Sequence, residues 1–179
     1  SEDADRAIID AALDLVADVG VTPLSIEQVA ARAGVGKATV YRRWPNKDAL
    51  IVDALATLKG PIPELPGNSL REDVRLLLVQ QNRDRQAGRN RRLYSCMMSE
   101  MGRHPDLARR FRETVIAPRQ KAMSEALRAA VTRGELRDDL DVELMRHLIA
   151  APILHWMMNN PEEPVDEELM TRFLDAILE

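Results

Sequence analysis

Apolar residues return every three or four positions through most of this chain, which is the spacing of one face of an α-helix. Ile8, Ala12, Leu15, Val16 and Val19 form the first such stripe, and Gly20 is a natural stop just beyond it. Ser25 precedes a second stripe of Ile26, Val29, Ala30 and Ala33, and pairs with Gln28 as a capping box. A third short helix is expected over 36–44. Pro45 and Asn46 stop it and cap a fourth, which carries Ile51, Ala54, Leu55 and Leu58. Helix formers such as Ala, Leu, Arg and Glu dominate, and only six aromatic residues occur (two each of Trp, Tyr and Phe). An all-α fold follows. With 45% hydrophobic residues the chain can bury a core.

The segment "GPIPELPGN" at 60–68 holds three prolines and two glycines in nine residues and marks a module boundary. Ser69 and Glu72 make a second capping-box pair, and helical patterns follow at 69–87, 90–102, 106–133, 141–158 and 166–178. The expected layout is an N-terminal domain of three short helices over 1–46, a connecting helix over 47–59, and a larger helical body over 69–179.

"ARAGVGKAT" at 31–39 admits two readings. A phosphate-cradling loop needs G-x-x-x-x-G-K-[ST] after a strand. Ala31 stands at the first glycine position, Ala38 stands where the hydroxyl belongs, and the segment before it has helical spacing and a helix cap. Three requirements fail. A helix-turn-helix needs two short helices, a glycine-containing turn, and a second helix that can enter a major groove. Gly34 supplies the left-handed exit, Val35 can bury under the turn, and Ala30 is small where the helices cross.

Net charge is −4, which taken alone argues against nucleic-acid binding, so any basic surface must be local. The window from Gln28 to Lys47 holds Arg32, Lys37, Arg42, Arg43 and Lys47 and no acidic residue. Lys47 is expected at the first position of the fourth helix, where a cation opposes the helix dipole unless a phosphate docks there. Val40 should face inward and Trp44 should anchor the third helix.

From Leu24 to Ile51, "LSIEQVAARAGVGKATVYRRWPNKDALI" resembles the DNA-binding signature of the tetracycline-repressor-type (TetR) transcriptional regulators, with Trp44 standing where that family usually has Phe. The resemblance implies a ligand-responsive repressor that binds a double-stranded, near-palindromic DNA operator as a homodimer. The 141–158 and 166–178 helices would pair with their twins. Lys37 and Ala38 are expected at base edges, Lys37 on guanine and Ala38 on a thymine methyl. Thr39, Tyr41 and Lys47 are expected on phosphates, Arg42 on phosphate or base, and Ser25 on a phosphate as well as the cap. The alternative is a helical protein-interaction module without DNA binding.

For the body, a small apolar or amphipathic ligand is expected, with Leu93, Met97, Met101, Phe111, Met123, Leu127, His147 and Trp156 as candidate contacts. All eight methionines lie between Met97 and Met170, and that clustering fits either a core or an adaptable pocket wall. Arg83, Arg85, Arg89, Arg91 and Arg92 read as a solvated charge run rather than an anion site. His147 and His155 are too far apart on one helix to chelate a metal, and His104 and Cys96 have no partners at metal spacing, so neither metal nor cofactor is expected. No catalytic set is present. A single cysteine and the lack of a membrane-length apolar run fit a cytoplasmic protein that does not enter a membrane.

Overall fold

A computed structural model describes residues 1–79, 93, 99–160, 163 and 165–178. Their regular structure is entirely helical: α1 (Glu2–Val19), α2 (Ile26–Ala33), α3 (Lys37–Arg43), α4 (Lys47–Lys59), α5 (Leu70–Val79), α6 (Pro105–Phe111), a π turn (Arg112–Ile116), α7 (Ala117–Thr132), α8 (Val142–Asn159) and α9 (Glu167–Leu178). The all-α expectation is met. Cys96, Met97, Met98 and the arginines at 83–92 lie outside the described residues.

These residues form two compact units. The first is Ser1–Lys59 with the described residues from Leu93 to Val115, and the second starts at Gly60 and resumes at Ile116. In the first, α1 packs on α2 and α4, α2 on α3, and α4 on α6. Ile8, Ala12 and Val16 of α1, Val29 of α2, Val40 of α3, Leu50 and Leu55 of α4, and Phe111 of α6 are buried there. In the second, α5 packs on α7, α7 on α8, α8 on α9, and α9 back on α5, so four helices close a ring. Val74, Leu127, Ile149, Met170 and Leu174 fill it. Met170 and Leu174 therefore turn inward, while Phe173, Ile177 and Leu178 of the same helix are partly buried.

Two local expectations are corrected. The Ser69–Glu72 capping box does not form. The Glu72 carboxylate accepts from Arg75 Nε and Nη2 at 2.9 and 2.7 Å, and at the same helix start the Leu70 amide donates to Glu135 at 2.8 Å. A guanidinium one turn on outcompetes a backbone amide for that carboxylate, because both its partners are charged. The stretch read as one helix over 106–133 carries the π turn ahead of Pro118. Proline has no amide hydrogen and crowds the carbonyl four residues back, and a wider turn relieves both.

Candidate nucleic-acid interface

The geometry of α2 and α3 follows from short-range chemistry. Ser25 Oγ accepts from the Gln28 amide at 3.3 Å, and Gln28 Oε1 accepts from the Ser25 amide at 2.9 Å, so the capping box fixes where α2 starts. Gly34 ends it in the left-handed region (φ 68°, ψ 28°), and the Val35 amide donates to Ala30 O at 3.0 Å to close the turn. Within α3, Val40 is fully buried, whereas Lys37, Ala38, Tyr41 and Arg42 are exposed and Thr39 is half-buried. One helix thus offers a cation, a methyl, a phenol and a guanidinium outward. Tyr41 is 49% exposed, high for an aromatic ring, and its hydroxyl can meet a backbone phosphate.

The cations of this region differ in what they hold. Arg43 is bound to Asp5 of α1, and Arg32 Nη1 donates to Asp18 at 2.7 Å. Both are therefore engaged with carboxylates of α1. The Arg43 guanidinium holds the Asp5 carboxyl below its ordinary range and is itself raised by that partner. Lys37 Nζ lies 2.9 Å from Glu27 Oε1, with the side chains 58% and 52% exposed. The lysine's hydrogen bond, helped by a backbone one, pulls the Glu27 carboxyl below its usual range.

Lys47 opens α4, as its position after Asn46 predicts, and Asn46 Oδ1 accepts from the Ala49 amide at 2.9 Å. Its ammonium donates to Val21 O and Thr22 O at 3.0 and 3.2 Å. Those carbonyl dipoles solvate a cation that the helix dipole disfavours, and the ammonium has a third N–H. The same turn is held elsewhere: Val21 N donates to Glu100 Oε2 at 2.9 Å, and Thr22 Oγ1 lies 3.0 Å from His104 Nε2. Trp44 is buried and donates through Nε1 to Asp53 at 2.8 Å, so it ties α3 to α4. Glu27, Glu100 and His104 were not found from the sequence. Glu27 stands one residue outside the acid-free window, and the other two act across about eighty residues.

The candidate ligand contacts fall into separate groups. Leu93 and Phe111 are buried and Met101 half-buried in the first unit; Met123 and Leu127 are buried and Trp156 half-buried in the second. His147 joins neither core: it is exposed, 3.3 Å from the Arg146 guanidinium. The Trp156 ring meets Phe173 edge-on at 6.3 Å, and its Nε1–H is buried without a partner among the described residues. No group of three metal-ligating side chains occurs among the described residues, and no helix of theirs is long and apolar enough to cross a membrane.

A capped helix, a left-handed glycine and a second helix with a polar outer face define a helix-turn-helix DNA reader. Residues 8–54 match the family model described as bacterial regulatory proteins of the tetR family, and residues 66–177 match the tetracyclin repressor-like C-terminal domain. The chain belongs to the TetR family, and it is a DNA-binding transcriptional regulator rather than an enzyme. It is 29% identical to the HTH-type transcriptional regulator YdeS of Bacillus subtilis (strain 168), over 98% of this chain and 88% of that one. It is also 29% identical to the DNA-binding transcriptional repressor TetR of Mycobacteroides abscessus, over 99% and 93%. Its fold resembles that of the flavonoid-responsive regulator FrrA, with a TM-score of 0.71 and 23% identity over 99% of this chain and 94% of that one.

Proposed function

We propose that this regulator is a homodimeric repressor that a small molecule releases from a near-palindromic operator in the cytoplasm. The outward face of α3 carries the reading: Lys37, Ala38, Tyr41 and Arg42 project from a helix whose Val40 is buried. Lys37 donates to guanine O6 or N7 and Ala38 touches a thymine methyl. Ser25, Thr39, Tyr41 and the third N–H of Lys47 meet phosphates, and Arg42 takes phosphate or base. Residues 1–46 act as the reading head, 47–59 as the connector and 69–179 as the sensing and pairing body. Repression is supported by the Mycobacteroides relative, whose name is that of a repressor. A small apolar or amphipathic ligand is supported by the flavonoid-responsive neighbour and by the unpartnered Trp156 N–H in an apolar setting.

Salt titration of duplex binding tests this reading. With Lys47, or Lys47 and Arg42, as the cations that neutralise phosphates in each subunit, the log–log slope for the dimer is about −2 to −4. Lys47→Ala flattens that slope and weakens binding to every sequence, whereas Lys37→Ala relaxes preference at one base position by about 1–3 kcal/mol. Duplex binding that ignores salt, or is missing, overturns the proposal in favour of a protein-interaction role.

A further inference from the structure

Glu27 stands at odds with the surface around it. It sits in the first turn of α2, and the Gly34 turn brings it against Lys37, the first residue of α3. The partners are 2.9 Å apart and each more than half exposed. An ion pair this exposed adds almost nothing to stability. A carboxylate on a surface turned toward phosphates weakens every complex with DNA, because it opposes the field that draws the duplex in. The arrangement contributes to binding only where the carboxylate finds a hydrogen-bond donor of its own.

In the major groove such a donor is the cytosine N4 amino group, the natural partner of a glutamate, while guanine O6 and N7 are the natural partners of a lysine. Guanine and cytosine present these groups side by side across a G·C pair or along adjacent pairs. Lys37 and Glu27 present the complementary donor and acceptor side by side on the protein. Their mutual contact in the free protein is then replaced by two contacts on DNA, and only a sequence offering both satisfies both.

We propose that Glu27 is a specificity-determining residue that accepts a hydrogen bond from cytosine N4 next to the guanine contacted by Lys37. This rests on the assignment of Lys37 to a base edge, so the test separates the two. Bound duplexes are selected from a random pool by the full-length wild-type protein and by Glu27→Ala, Glu27→Gln and Lys37→Ala. Random-duplex affinity is measured beside each, and circular dichroism checks folding. The wild type should select a cytosine beside that guanine. Glu27→Ala should lose the cytosine by about 5- to 150-fold in discrimination and bind random duplex more tightly at low salt. Glu27→Gln should shift the preference toward adenine, whose N6 and N7 a glutamine amide matches, a change that a merely structural role for Glu27 does not produce. An unchanged motif in both Glu27 variants, with an altered one in Lys37→Ala, overturns the role of Glu27 and leaves Lys37 standing. An unchanged motif in Lys37→Ala removes the lysine assignment and with it the guanine beside which Glu27 is placed, so both fall together. A wild type that selects no motif overturns both.

Discussion

Gly20 and Gly34 each end a helix, but for different physical reasons. Gly34 adopts φ 68°, ψ 28°, and nothing lies within 4 Å of where its Cβ would stand, so only backbone strain restricts it. Asparagine visits that region readily, so Gly34→Asn should cost less than about 1 kcal/mol. Gly20 adopts φ 82°, ψ −177°, a region that is essentially glycine's own, and an added Cβ would meet Glu100 Oε1 at 2.7 Å. Moving Glu100 aside would forfeit its hydrogen bond to Val21 N. Gly20→Ala should therefore lower stability by about 1–3 kcal/mol in chemical denaturation. If Gly20→Ala denatures like the wild type, the turn does not hold the conformation seen here. Both glycines were legible in the sequence as helix stops, because a stop is a local property. That one of them also makes room for a carboxylate eighty residues away was not, since no local pattern encodes that approach.

Helix α8 shows how much a periodic pattern can and cannot say. Its apolar residues run all round it, so spacing identifies a helix without identifying the buried side. Ile149 and Ile153 enter the core, whereas Leu144, Leu148 and Met158 are 56%, 50% and 57% exposed and share one stripe with Ala151 at alternating steps of four, three and seven. A two-helix seam uses such a stripe. In a twofold dimer each leucine is buried twice, at about 1.5–3 kcal/mol per side chain. Leu148→Glu should therefore raise the dimer dissociation constant by at least about 100-fold, read by light scattering across a concentration series. The folded chain itself should keep its stability within about 0.5 kcal/mol, because the side chain is exposed within it. A dimer indifferent to this change would place the seam elsewhere. The two capping boxes make the same point about helix starts. Ser25–Gln28 forms as written, while at Ser69–Glu72 the carboxylate turns to the Arg75 guanidinium, a partner that the neutral Gln28 amide attracts less.

Among the described residues, carboxylates make many of the ties between elements. The second unit starts at Gly60, and residues just before Val115 pack with the first, an allocation that periodicity does not reveal because an amphipathic stripe does not name its partner. In the first unit Asp5 is held down chiefly by its hydrogen bond from Arg43. In the second, Glu143 is held down by Ser124 and then Arg146, and Glu135 by the Leu70 amide and then Arg133. Each folded-state pKa lies below its unfolded value, so each contribution is complete above the ordinary carboxylate range and is lost as pH falls through the depressed value. Unfolding free energy should thus show an acid limb that begins near pH 4 and steepens below it. About 1 M salt should shrink the share that comes from exposed ion pairs, because screening there acts within about 3 Å. The Glu135 share should survive better, since its leading partner is a neutral amide at a helix start. Glu135→Gln should consequently flatten the acid limb measured in 1 M salt more than Glu72→Gln, whose carboxylate is held first by a guanidinium. Equal effects of the two changes in high salt would mean that the Leu70 contact does not outlast its charged neighbour.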